Sequence, residues 1–342
     1  MKLAIMADLH IGKKQYRTDE NGYNKFEHIG YRALQDNIDI ILREKPDLII
    51  NAGDVFDTAN PSILAMKHYY NMQEQLKDIP TMTILGNHDF AFINRNTKCS
   101  AVEMAHNTYF ADYSLKTVEL NDILFIMMPY IYDKADKIKS MFYDCNELAK
   151  KSTAKKKILV THGVTEHYYK DSLIGDAFML PDALVRQFDL VIIGHIHTPF
   201  DYKEGKTLVL SPGAMIDYQA YEDRTGPIFL DTDTMEFRKE LVKTPHIIKL
   251  QCDETNINEI LSNLTEDIYH ISYRGDTHKI DNDLFISGRN KAANVVIDVV
   301  EDKITEENKS HTMNINFMEW IKENHSEYLD IFKKAKEDMM VG

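Results

Sequence analysis

Cysteine is scarce in this chain. Its 342 residues include three, Cys99, Cys145 and Cys252, which stand far apart and are odd in number. That pattern suggests neither a disulfide framework nor a zinc knuckle and leaves three reduced thiols. Long apolar runs are missing too. Nothing reaches the length of a membrane span, and the run in the opening "MKLAIMADLH" meets an aspartate too soon for a signal peptide. The expectation is a cytoplasmic protein with no membrane partner. Positive charge is in deficit: the formal net charge of −14 argues at first sight against nucleic acid as a partner. The sum is global, however, and a site of aspartates holding divalent cations supplies its own positive field. Local cations exist in Lys13, Lys14 and Arg17 and in "KKSTAKKK" from Lys150 to Lys157, although each cluster by itself reads first as a solvated face.

What is present is a globular composition, 44% hydrophobic and 27% charged, in a chain long enough for one large domain plus a smaller one. From Lys2 to about Asp201, apolar strand-like runs alternate with helical periods, the signature of a layered α/β domain. The runs are "KLAIMAD", "DLIINAGD", "TMTILGNHD", "ILFIMMPYI", "KILVTHG" and "DLVIIGH". Phe26, Ile29, Leu34, Ile38, Ile41 and Leu42 form one helical stripe before Pro46, and Ile63 to Leu76 a second before Pro80. Short antiparallel strands are expected from Tyr202 to Leu241. Residues 1–243 then form the main domain and 244–303 a small α+β domain, with "HIIKLQC", "IYHISYRG" and "NVVIDVVED" as strands and Asn256 to Leu264 as a helix. Residues 304–342 are a polar linker and an apolar helical tail over Asn314 to Met339.

The chemistry collects where the predicted strands stop. Asp8 and His10 in "ADLH", Asp54 and Asp57 in "AGDVFD", Asn87, His88 and Asp89 in "GNHD", His162 in "THG", and His195 and His197 in "IGHIH" each follow an apolar run. Loops beyond the carboxyl ends of parallel strands meet on one edge, so these residues converge. Taken singly, each has an ordinary reading. Asp-x-His at a strand end means little, Asp54 equally caps a following helix, and His162 alone is a satisfied core histidine. In "GHIH", alternation puts His195 and His197 on one side of an extended chain. All five motifs in this order are hard to obtain from turn chemistry. In "ILGNHDF", Gly86 is expected to let the backbone bend sharply at the strand end, with Asp89 supporting the turn.

The ordered set resembles the calcineurin-like metallophosphoesterase superfamily, whose fold is a two-sheet β-sandwich flanked by helices. Within it, "ADLHIGK", "AGDVFDTANPS", "ILGNHD" and "LSPGAMID" resemble the SbcD-type DNA-repair nucleases, over roughly residues 1 to 235. The aspartate at position 57, where archaeal and eukaryotic members usually carry histidine, places the likeness with the bacterial and phage branch, and thus in a host cytoplasm if phage-encoded.

The resemblance implies two divalent cations, Mn first with Mg as alternative. Asp8, His10, Asp54 and His197 would hold one, and Asp54, Asn87, His162 and His195 the other, with Asp54 bridging. The oxygen and nitrogen donors without thiolate suit such ions and would also accept Zn or Fe. His88 would bind no metal and would act on the phosphate, oriented by the Asp57 carboxylate. The implied function is a DNA exonuclease and endonuclease subunit that processes DNA ends in repair and recombination. Its partners would be DNA, met partly by the small domain acting as a cap, an SbcC-type coiled-coil ATPase bound by the tail, and a second copy joined through helices including Ile63 to Leu76. For that last helix, packing on its own sheet explains the same stripe. The alternatives are a small-molecule phosphodiesterase for cyclic nucleotides or dinucleotides, and a non-catalytic scaffold for the ATPase.

Overall fold

The computed structural model describes residues 1–15, 22–91, 97–98, 100–103, 107–131, 135–167, 178–218 and 226–300. The main strands are β1 (Lys2–Met6), β2 (Leu48–Asn51), β3 (Thr81–Ile84), β4 (Tyr109–Ala111), β5 (Lys116–Leu120), β6 (Ile123–Met128), β7 (Lys156–His162), β8 (Leu190–Gly194), β9 (Phe200–Glu204), β10 (Thr207–Ser211), β11 (Ile228–Asp231) and β12 (Phe237–Lys239). They form two six-stranded sheets, in the orders β12-β11-β1-β2-β3-β4 and β9-β10-β8-β7-β6-β5. In the first, β1, β2, β3 and β4 run parallel, β11 pairs antiparallel with β1, and β12 pairs antiparallel with β11. In the second, β10, β8, β7 and β6 run parallel between antiparallel β9 and β5.

Alternation along each strand decides which layer a side chain joins. Leu3, Ile5, Ile50, Ile84, Phe125, Val160 and Ile192 point between the sheets and make one apolar core. Ala4, Met6, Ile49, Ile126, Leu159 and Val191 point outward to the helices and belong to a second. Because the parallel strands are buried on both faces, they read as continuous apolar runs in the sequence.

Helix α1 (Lys25–Glu44) starts where the Asn24 side chain accepts the Glu27 N–H, and it ends at Lys45, which takes φ 50° just before Pro46. Helix α2 (Ile63–Gln75) is capped by Ser62, whose hydroxyl accepts the Ala65 N–H. Ile63, at 82% exposure, and Leu42 lie off the buried stripes to which the sequence pattern assigned them. Leu42 stands one residue past Ile41, a step of about 100° around the helix, which turns it to solvent. Helix α3 (Ala135–Lys151) covers the other sheet, with Cys145 Sγ 3.7 Å from Met128 Sδ.

Beyond the sheets, β13 (Ile247–Asp253), α4 (Ile257–Ser262), β14 (Ile268–Arg274), α5 (Asn282–Lys291) and β15 (Asn294–Val299) build a three-stranded sheet with its own core around Ile257, Leu261, Ile271 and Tyr273. β13 and β14 are parallel and joined through α4. Helix α5 is not marked by apolar period; Asp281 caps it, and Gly288 lets it approach Leu261, whose carbonyl a Cβ would meet at 2.8 Å. Residues Met1–Asp298 form one compact unit. The expected linker and helical tail lie outside the described residues. No helix among the described residues is long and apolar enough to cross a membrane.

Candidate metal centre

The carboxyl ends of β1, β2, β3, β7 and β8 bring every motif to one place. Asp8 and His10 follow β1, and their backbones take φ 51° and 41°, a left-handed region that L side chains rarely adopt. Asp54 after β2 does the same at φ 53° and His195 after β8 at 97°. Such a concentration of strained ligand-type residues marks a functional site. The surrounding backbone holds them there: the Asp8 N–H donates to the Gly53 carbonyl and the His10 N–H to the Asp54 carbonyl, each at 3.0 Å.

Two groups of ligand atoms result. In one, the atoms of Asp8, His10 and His197 lie within 4.8 Å of one another, and the His10 and His197 Nε2 atoms are 3.1 Å apart. In the other, Asn87 Oδ1 lies 3.0 Å from both His162 Nε2 and His195 Nδ1, with Asp8 and Asp54 beside His162. Asp54 Oδ2 stands between the groups, 3.7 Å from His10 Nε2 and 3.3 Å from His162 Nε2. All seven residues expected to hold metal therefore lie together, Asp8, His10, Asp54 and His162 buried and Asn87, His195 and His197 partly so.

The donor arrangement fits cations. His162 Nδ1 donates to the Ala52 carbonyl at 2.8 Å, so neutral His162 turns a bare Nε2 lone pair toward two oxygen acceptors, Asn87 Oδ1 and Asp54 Oδ2. Lone pairs facing lone pairs repel unless a proton or metal ion lies among them. The titration behaviour says the same. Burial opposes charge on His162, yet the Asp54 and Asp8 carboxylates outweigh it and push the imidazole up to about 9. Burial also opposes charge on Asp54, but His162, His10 and His88 hold its carboxyl below the usual range. Burial pushes His195 down to about 4, with His162 adding to it, and His197 down to about 3, with His10 adding to it, so both are neutral imidazoles, the form that binds a metal ion.

His88 belongs to neither of these two groups, but its ring lies in a third, with ligand atoms of His10 and Asp57 within 4.8 Å. Its Nδ1 donates to the backbone carbonyl of Asp57 at 2.8 Å, and its ring lies edge-on to His10 with centroids 4.6 Å apart. The contact is with Asp57, as expected, but through its backbone carbonyl and not through the carboxylate. The carboxylate is engaged elsewhere: Lys13 Nζ lies 2.8 Å from Asp57 Oδ1, with His10 Nδ1 3.4 Å from the same oxygen. Burial opposes its ionisation, but His10 and Lys13 bring it down to about 2.

Asp89 is a brace for the two central motifs. Its carboxylate accepts the N–H groups of Gly86, Val55 and Phe56 at 2.9, 3.3 and 3.2 Å, which ties "GNHD" to "GDVFD". Gly86 itself has φ −97°, so it is not needed for an unusual bend. It is needed for space, because a Cβ there would lie 2.2 Å from Asp54 Oδ1 and 2.7 Å from His162 Cε1. Sequence reasoning left Tyr218 unassigned. Its ring centroid lies 5.0 Å from those of His10 and His197, and the one available signal is that it directly follows "LSPGAMID".

A profile of the calcineurin-like phosphoesterases matches residues 1–199. The DNA double-strand break repair protein Mre11 of Methanococcus maripaludis is 27% identical over 237 residues, covering 64% of this chain and 60% of that protein. The protein of the same name from Saccharolobus solfataricus is 25% identical over 237 residues, covering 66% and 57%. The chain thus spans about 60% of the length of these relatives. Among solved structures, a dimetal phosphatase from Danio rerio is 10% identical, covers 67% of this chain and 91% of its own, and superposes with a TM-score of 0.48.

Proposed function

Because the chain belongs to the calcineurin-like phosphoesterase family, we propose that it is a dinuclear-metal nuclease that cleaves phosphodiester bonds at DNA ends. The observation that carries this reading is Asp54 Oδ2 standing between two groups of ligand atoms, 3.7 Å from His10 Nε2 and 3.3 Å from His162 Nε2, with His88 beside them. Asp8, His10, Asp54 and His197 would hold one Mn ion, and Asp54, Asn87, His162 and His195 the other. Such a pair polarises a phosphoryl group and supplies a nucleophile at neutral pH.

The protein's own residues do the rest. Asn87 offers an oxygen without adding negative charge to a site that must accept phosphate. The His88 ring is fixed through Nδ1, so in its doubly protonated form Nε2–H is left for the phosphate or the leaving alkoxide. The two relatives, both DNA double-strand break repair proteins by name, support DNA as the substrate. The resemblance to the SbcD-type nucleases adds a coiled-coil ATPase as partner, with the small domain, residues 244–303, contacting DNA and the tail, residues 304–342, binding the ATPase. Ile63, Leu64 and Tyr70, exposed together on α2, support a second copy as a further partner.

The test uses the full chain with Mn, with and without the ATPase, on labelled linear duplex and on a chromogenic phosphodiester. Metal-dependent cleavage of the duplex is expected. Cleavage of the small ester alone under both conditions would replace DNA with a small-molecule substrate.

A further inference from the structure

Tyr218 is a buried tyrosine that no metal or phosphate chemistry claims, yet it touches the centre at three places. Its hydroxyl donates to the Leu9 carbonyl at 3.0 Å. Leu9 is the residue between Asp8 and His10, the two ligands that hold left-handed backbone at φ 51° and 41°. The same ring packs against both His10 and His197, with centroid distances of 5.0 Å. Lys13 Nζ, 2.8 Å from the Asp57 carboxylate, lies 5.1 Å over its face. The Gln15 side chain holds the Tyr218 carbonyl at 3.2 Å.

The neighbouring residue points the other way. Asp217 Oδ2 accepts from His246 Nδ1 at 3.0 Å and from the Ile247 N–H at 3.4 Å, and Ile247 begins β13, the first strand of the small domain. Two consecutive side chains thus reach from the entry of that domain to the imidazoles His10 and His197. An imidazole that binds metal must be held in position by what surrounds it, and removing such a support costs about 10- to 100-fold in metal affinity.

We propose that Tyr218 is a positioning residue for His10 and His197, and that Asp217 ties it to the small domain through His246, so that the placement of this domain is felt at one of the two metal positions. This rests on the metal-centre reading above, but not on DNA being the substrate.

The experiment titrates the full-length protein with Mn alone, reading each binding step by calorimetry and bound Mn by electron paramagnetic resonance, with no substrate present. Tyr218→Leu removes ring and hydroxyl and is expected to weaken one Mn step by about 10- to 100-fold while the other stays at the wild-type value. Tyr218→Phe keeps the ring and loses only the bond to Leu9, so it should fall between the two. His246→Ala alters a side chain that is 47% exposed and leaves the pocket intact; it should weaken the same step by less than Tyr218→Leu. Two unchanged steps in both Tyr218 variants, or equal weakening of both steps, would overturn the positioning role. A normal His246→Ala titration would overturn the tie to the small domain. Wild-type protein that binds no Mn would refute the metal centre itself, whereas Mn binding without DNA cleavage would leave this inference standing and remove the nuclease.

Discussion

The Nε2 atoms of His10 and His197 face each other at 3.1 Å inside the protein. Burial lowers both imidazoles below their ordinary range. A neutral ring has one N–H, which makes this contact an N–H···N hydrogen bond when it lies between the two Nε2 atoms; a cation bound by both nitrogens, each N–H then on Nδ1, replaces that one bond with two. Chelation is therefore expected to lower the unfolding midpoint, by an amount corresponding to about 2.7 kcal/mol relative to protein with Mn at 100 times its dissociation constant. Thermal unfolding with Mn and with EDTA checks this; a midpoint indifferent to both would mean that the paired nitrogens meet no ion.

His88 and Asp57 give a prediction with two parts. On the proposed function, His88→Asn removes the group that would meet the phosphate and leaves the proposed ligands in place, so bound Mn should stay near the wild-type level while kcat falls by about 10²- to 10⁴-fold. Asp57→Asn keeps the carbonyl that holds His88 and disturbs only the carboxylate shared by Lys13 and His10. It should cost less activity than His88→Asn. Metal analysis beside steady-state kinetics separates the two, and loss of Mn in His88→Asn would make His88 a ligand after all.

Gly86 is a position where one methyl group is expected to empty the site. The Cβ of Gly86→Ala would stand 2.2 Å from Asp54 Oδ1 and 2.4 Å from the Asp54 backbone nitrogen, and backbone cannot swing aside as a flexible side chain does. We expect about 1–3 kcal/mol of destabilisation from overpacking, together with loss of Mn because Asp54 is displaced. Denaturant unfolding and metal content are the measurements. A stable, fully loaded Gly86→Ala protein would show that the loop can shift to make room for the methyl group.

These effects divide what sequence can show from what it cannot. The six apolar runs and the order of the five motifs follow from local pattern, since strands buried on both faces are continuously apolar and ligands follow strand ends. The split of those runs into two sheets does not, because a run such as "ILFIMMPYI" carries no mark of which strand it will pair with. Asp57 was legible as a partner of His88, but not that its carbonyl makes the contact while Lys13 takes the carboxylate. Gly86 was legible as necessary for the wrong reason, conformational freedom, when the reason is the van der Waals space beside Asp54. Helix α5 escaped notice because its apolar residues Leu284, Phe285 and Ile286 are consecutive rather than periodic.

The pH dependence of metal binding follows from two buried groups. Burial, with the Asp54 charge adding to it, pushes Asp8 up to about 7, and the carboxylates of Asp54 and Asp8 push His162 up to about 9 against its burial. In metal-free protein His162 is therefore protonated at neutral pH and Asp8 partly so, and a cation must displace those protons. Mn affinity should rise as pH climbs through that interval. The effect on folding has a definite sign. A group whose folded pKa is raised stabilises fully below its unfolded value and loses that contribution as pH rises through the folded one. For Asp8 the loss runs from about pH 4 to about pH 7, and for His162 from about pH 6.5 to about pH 9. Above about pH 6.5 the remaining loss in metal-free protein is therefore mainly that of His162, and it runs to about pH 9, whereas loaded protein has already exchanged the protons for cations. The midpoint difference between Mn-loaded and metal-free protein should widen over that range, and calorimetry in buffers of different ionisation enthalpy should detect proton release on Mn binding near neutrality. A difference that narrows toward high pH, with no protons released, would rule out Asp8 and His162 as the groups that give way to metal.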